Sequence, residues 1–224
     1  MKVIRLSGNE TAYMLKRSAR RTVGLRIDPK GLTVSAPLRM PEKAIEAILL
    51  SKSEWILRKM DEARPCPAPK WQEGEKLPFL GKHYRLSISS GKRDVRLEGE
   101  CIAVSLPDAS RTRECIESWY KRQALDLFAE RIAHYCPKLG VETPKLFLSN
   151  AKTRWGSCNS KREVRLNWRL VLMSLPIVDY VVVHELSHLI EMNHSKAFWE
   201  KVGSVYPAFD AARKELKHRS RALW

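Results

Sequence analysis

The chain has 224 residues, enough to bury a true core as one large domain or two small ones. Lys and Arg number 41 against 25 acidic residues, so a formal charge of +16 favours polyanions: nucleic acid, nucleotides or acidic proteins. The longest apolar stretch, 170–183, is broken by Ser174, Pro176 and Asp179, which excludes a membrane helix of ~18–20 clean residues, and Met1 to Leu6 carries no signal-peptide core, so a cytoplasmic protein is expected.

From residue 2 to 36 short β-like runs (2–6, 12–16, 22–27, 32–36) alternate with the turn compositions Ser7-Gly8-Asn9 and Asp28-Pro29-Lys30-Gly31, which predicts antiparallel hairpins. Pro41 opens a helical pattern in which Ile45, Ile48, Leu49, Trp55, Ile56 and Met60 recur at helical spacing. The proline-alternating stretch 64–70 reads as a stiff connector. Strands follow at 77–80, 84–89, 95–97 and 102–106, then a long helix over about 111–135 with an apolar stripe through Cys115, Trp119, Phe128 and Ile132. Beyond Gly140 come strands at 145–148, 152–158 and 164–170, the last two flanking a polar turn and predicting a hairpin. Ser174 is a candidate cap for the next helix, with Pro176 in its first turn and an end near Met192-Asn193; Ser195 can cap a helix through Ser204, and Pro207 opens the last, through Leu216. No internal repeat is visible. The five cysteines are widely spaced and never form C-x-x-C, which points to reduced thiols.

The helix after Ser174 carries Val181-Val182-Val183-His184-Glu185-Leu186-Ser187-His188-Leu189-Ile190. Four residues apart, His184 and His188 share one helix face and converge on a single ion, while Glu185 beside them is placed to take a proton from a water at that ion. The plain alternative is a core helix with two histidines and a glutamate by coincidence. Burying those groups among valines is costly unless they are paired or metal-bound, so the metal reading is preferred. A catalytic zinc takes three protein ligands. Glu191 shares the helix face but lies far along the axis. His194 is the preferred third ligand, because a turn at Asn193 brings it back toward the ion, with Ser195 starting the return helix that carries Phe198 and Trp199.

Several motifs resemble one family. Arg154-Trp155-Gly156-Ser157-Cys158, Arg165-Leu166-Asn167-Trp168-Arg169-Leu170, Tyr180 to Leu189 around the two histidines, and Asn193-His194-Ser195 with Phe198-Trp199 are similar to the YgjP-like metallopeptidase domain, related to the SprT-like zincins. Arg20 to Ile27 resembles the family's opening, so the resemblance spans about 13–216. It implies His184, His188 and His194 as zinc ligands and Glu185 as catalytic base.

The expected fold is α+β, a β-rich N-terminal half (1–106, with one helix) packed on a minimal zincin-like core (107–224) that holds the metal helix. The expected function is a cytoplasmic zinc-dependent hydrolase, a metallopeptidase with one zinc per chain or another divalent ion, acting on a peptide or protein. Two alternatives stand beside it: a metal-dependent nucleoside triphosphate pyrophosphohydrolase, and a nucleic-acid-binding module with a structural zinc. The absence of a G-x-x-x-x-G-K loop weakens the first, and Glu185 weakens the second, since a closed structural site has no use for a base. The clusters 16–21 and 213–221 are candidate polyanion contacts. Arg154, Gly156 and Asn167 are candidate substrate-binding residues: Gly156 by letting a backbone or ligand approach closely, Arg154 by a forked contact to a carboxylate or phosphate. The rival role of that hairpin is stability, with Trp155 and Trp168 packing across strands. Arg154, Tyr206 and His218 are candidate donors to an oxyanion.

Overall fold

A computed structural model describes residues 1–28, 30–62 and 69–219. Most of the expected 64–70 connector lies outside them. The fold is α+β, as expected, and among the described residues no helix is long and apolar enough to cross a membrane. The chain divides into two compact units, Met1–Pro67 with His218–Trp224, and Ala68–Lys217.

The first unit holds β1 (Lys2–Leu6), β2 (Asn9–Ser18), β3 (Gly24–Asp28) and β4 (Gly31–Pro37) in the order β1-β2-β4-β3. The two hairpins are antiparallel as their turns predict, and β2 joins β4 in parallel. Alternation puts Leu6, Tyr13, Leu32, Val34 and Ala36 on one face, where Ile45 and Leu49 of α1 (Glu42–Ser51) and Ile56 of α2 (Ser53–Glu62) complete a core. The single helix expected from Pro41 is thus two, broken at Lys52, whose N–H bonds back to Leu49 O and Leu50 O. In the basic cluster, Arg17 Nη1 donates to Pro37 O, Leu38 O and Met40 O, and Arg20 packs against Gly24, where an added Cβ would lie 2.7 Å from Nη2. Half of the expected 16–21 patch is therefore committed to holding its own unit together.

The second unit begins with β5 (Lys76–Phe79), β6 (Lys82–Ser89), β7 (Asp94–Glu98) and β8 (Cys101–Ser105), in the order β5-β6-β8-β7. This is the first sheet over again. Leu6↔Asn9 and Phe79↔Lys82 close equivalent turns, both left-handed (Ser7 φ 44, Gly8 φ 87; Leu80 φ 47, Gly81 φ 80). Tyr13↔Leu32 corresponds to Leu86↔Ile102, and Leu25↔Val34 to Val95↔Val104, without a register slip. Each copy leaves its sheet through Val-Ser-x-Pro (34–37 and 104–107) into a helix that buries an isoleucine, Ile45 or Ile116. The chain does contain an internal repeat. It is hard to see in the sequence because, apart from the short Val-Ser-x-Pro match, what is kept is the spacing of buried residues while most other residues differ.

This second sheet packs on α3 (Thr112–Leu139): Phe79 lies 5.0 Å from Trp119, and Tyr120 Oη donates to Pro78 O at 2.8 Å. That shared core is why the compact units part near residue 67 rather than at 106/107, where the pattern had suggested a division. Gly140, in the left-handed region at φ 69, ends α3. A three-stranded sheet follows, β9 (Lys145–Ser149), β10 (Gly156–Cys158) and β11 (Glu163–Asn167), in the order β10-β11-β9. The expected hairpin forms, but its first strand starts only at Gly156. Residues 151–155 are a loop instead, because Asn167 Nδ2 donates to Ala151 O and Arg154 O and Asn167 N–H to Trp155 O. A 3-10 turn (Trp168–Leu172) leads to α4 (Leu175–Ser187), then α5 (Lys196–Val205) and α6 (Phe209–Arg219). Arg131 of α3 grips Asp179 of α4 through Nε at 2.6 Å and Nη2 at 3.1 Å, with both side chains largely buried.

Candidate metal centre

The apolar run Val181-Val182-Val183 buries α4 on every side, so the polar groups of the next turn are carried into the interior. Ser174 precedes the helix without capping it, its hydroxyl buried and unbonded among the described residues, while Pro176 takes its place in the first turn as expected. The helix stops at Ser187, earlier than expected. His188 is the C-cap residue, and Leu189 N–H turns in to Leu186 O, Ile190 and Glu191 N–H to Ser187 O. An early stop is what lets the chain double back within six residues. Asn193 Oδ1 then accepts from Ser195 N–H and Ser195 Oγ from Phe198 N–H, so the expected serine cap forms and His194 is set at the mouth of α5.

The three imidazoles meet. One ring nitrogen from each of His184, His188 and His194 lies within 4.8 Å of the other two, a group that can hold a metal ion. His184 Nε2 and His194 Nε2 face each other at 3.1 Å, close to the ~3.3 Å between neighbouring donors around a tetrahedral ion with ~2.05 Å bonds. His188 Nδ1 is 3.0 Å from Glu191 O; a carbonyl only accepts, so Nδ1 carries the proton and Nε2 is left with its lone pair. Glu191, the rival ligand, thus meets the cluster through its backbone. Phe198, fully buried, touches all three rings at centroid distances of 5.0, 4.6 and 4.8 Å and forms the floor beneath them. Trp199 packs beside His184 and His194 at 5.8 Å each. His184 Nδ1 is buried and unbonded among the described residues.

Electrostatics favour neutral donors. Burial first, then the neighbouring imidazoles and Arg213, push His184 down to about 3, and burial lowers His188 despite the Glu191 carbonyl. Neutral imidazole is the form that binds metal, so protons compete weakly at these positions. Burial alone lifts the Glu185 carboxyl to about 8. A cation alongside would oppose that shift, returning the carboxylate.

Glu185 is buried against β10. A Cβ built on Gly156 would fall 2.5 Å from Glu185 Cγ and 2.6 Å from Cδ. The close approach expected at this glycine is therefore made by the protein's own glutamate. Arg154 is exposed at the end of the 151–155 loop. Asn167 is fully buried with its amide committed to that loop, its Oδ1 accepting from Arg169 N–H at 3.1 Å, so it holds Arg154 in place from beneath. Trp168 is buried too, stacked on Tyr120 of α3 at 6.3 Å, a structural contact made to that helix where packing across strands was expected. Tyr206 Oη donates to Pro176 O at the start of α4. Sequence reasoning missed Phe198 as the common floor and Arg213 as a charge felt at the site. The i to i+4 spacing from His194 to Phe198 was the available signal for the first; nothing local marks the second.

Residues 21–219, nearly the whole chain, match the family described as YgjP-like, metallopeptidase domain. The chain belongs to that family. As a YgjP-like metallopeptidase it is a metal-dependent hydrolase at the family level, and its substrate class is peptide or protein. No curated protein matches the chain. Among solved structures, the metallopeptidase zymogen of Methanocaldococcus jannaschii jannalysin is 18% identical, with a TM-score of 0.38, over 41% of this chain and 95% of that one.

Proposed function

We propose that this YgjP-like protein is a zinc-dependent peptidase in which His184, His188 and His194 hold the ion and Glu185 is the general base. The observation that carries the reading is the convergence of three imidazoles within 4.8 Å beside a glutamate seated on Gly156. An all-nitrogen set of three suits zinc, which at such a site supplies a Lewis acid and lowers the pKa of water. Glu185 takes a proton from the attacking water and returns it to the leaving amine, a role helped by a wall of valines that keeps bulk solvent away. Among the described residues β10 pairs with β11 on one side only, which offers its outer edge to an extended peptide, whose backbone would run over Glu185. Arg154, placed by Asn167, is proposed to meet a substrate acid beyond that edge.

The nucleotide and nucleic-acid readings gain no observation of their own, and the commitment of Arg17 and Arg20 to their own unit removes part of their motivation. The deciding experiment is metal analysis of the purified protein followed by turnover on panels of peptides and nucleoside triphosphates. About one zinc per chain with peptide cleavage is the expected result. Hydrolysis of triphosphates alone would replace the peptidase reading while keeping the site.

A further inference from the structure

Arg213 of α6 stands beside the histidine cluster, and no carboxylate among the described residues forms an ion pair with it. Its guanidinium lies over Trp199 at 4.5 Å from the ring centroid, and Trp199 is itself stacked on His194 at 27° between planes. Its charge is felt by His184 and by the buried Tyr180, one helical turn before His184 on α4. Asp210 lies one turn earlier on α6, yet no described carboxylate forms an ion pair with Arg213. The side chain is exposed, so solvent reaches it and a ligand can as well.

A fixed positive charge next to a cation site is unfavourable, because it repels the ion that the histidines are arranged to hold. Stacking on Trp199 holds the guanidinium near the site instead of letting it swing away, and a planar, pre-ordered fork is suited to carboxylates. The arrangement becomes favourable when an anion binds the exposed guanidinium of Arg213 beside the metal site. Arg213 meets the histidines through Trp199, one side chain removed, so the anion it faces is a neighbouring part of the substrate and not the reacting carbonyl.

We infer that Arg213, seated on Trp199, is a specificity-determining residue that binds a substrate carboxylate beside the metal centre, either an acidic side chain or a free C-terminus. The inference rests on the peptidase reading above and narrows its substrate class.

The test uses three peptides of one neutral sequence: amidated, with a free C-terminal carboxylate, and amidated with one internal glutamate. Cleavage is measured with the metal-loaded wild type, Arg213→Gln and Arg213→Lys. Binding of the same peptides is measured on metal-loaded Glu185→Gln protein with and without the Arg213 changes. The wild type should prefer one or both carboxylate peptides, and which one identifies the source. Arg213→Gln should reduce that preference about 10- to 100-fold, mainly through KM, the size of a charge-assisted contact, and Arg213→Lys should retain part of it. Metal content and melting temperature should not change. Equal affinity for carboxylate and amidated peptides overturns the inference whether or not they are cleaved. A common fall in kcat for all three peptides also overturns it, since that would mark a role at the reacting carbonyl. Carboxylate-selective binding that depends on Arg213, without cleavage of any peptide, keeps the inference and sinks the peptidase reading instead.

Discussion

Glu185 lies over Gly156 so closely that no other residue fits beneath it: a Cβ there would sit 2.5 Å from Glu185 Cγ. The strand and the metal helix are thus matched at one point, and the glycine fixes where the carboxylate stands. Gly156→Ala should displace Glu185 by a fraction of an ångström to an ångström. The expected outcome is about a 10²-fold fall in kcat/KM, the scale of such misplacement, with about 1–3 kcal/mol of overpacking strain. Metal content should persist, because the atoms nearest the added Cβ belong to Glu185 and not to a histidine. Activity close to wild type would show that the carboxylate position is not critical.

Glu185→Gln keeps the shape and removes the proton acceptor. Turnover should fall by about 10²- to 10⁴-fold while zinc content and melting temperature stay near wild type. A variant as active as the wild type would take Glu185 out of the chemistry and leave the metal with a structural role.

His194→Ala and Glu191→Ala separate two ligands that the sequence alone could only rank. His194 brings its ring nitrogen to 3.1 Å from that of His184, whereas Glu191 uses its main-chain carbonyl on His188. Loss of His194 should leave well under one metal per chain, and Glu191→Ala should retain about one, since the carbonyl survives the change. Metal analysis after dialysis decides it; the reverse pattern would reassign the third ligand.

Local signals made most of this architecture readable. Alternating residues and the Ser7-Gly8 turn marked β1 and β2, and the i to i+4 histidines with a serine-capped return helix marked the three-histidine group. Three features were hidden for physical reasons. The break between α1 and α2 leaves the helical period of the apolar residues intact. The 151–155 loop reads as strand because the Asn167 side chain, distant in sequence, takes over the bonds a partner strand would make. The repeat of the first sheet in the second rests on which positions face inward, and Tyr13 and Leu86 or Ala36 and Leu106 satisfy the same demand with different residues. Arg213 is the extreme case: it lies 25 or more residues beyond both helix histidines and is brought to them only by the packing of α6 on Trp199.

The Arg131–Asp179 pair supports the site from a distance. Asp179 is five residues before His184 on α4, and the two-point contact from α3 fixes the rotation of the metal helix. Both side chains are largely shielded, 15% and 10% exposed, so removing one partner leaves a charge in a poorly solvated place. Asp179→Ala should therefore destabilise by about 3–5 kcal/mol, which for a chain of this size lowers Tm by roughly 10 °C. Replacing both partners with apolar residues, Arg131→Met with Asp179→Leu, should recover much of that loss, because no orphaned charge remains. Thermal melting of the single and double variants checks the energetics, and metal affinity checks the coupling: the single variant should bind metal more weakly, with the double variant closer to wild type. A double variant as unstable as the single one would mean that the pair is intrinsically stabilising, and unchanged metal affinity in both would show that α4 holds its histidines without help from α3.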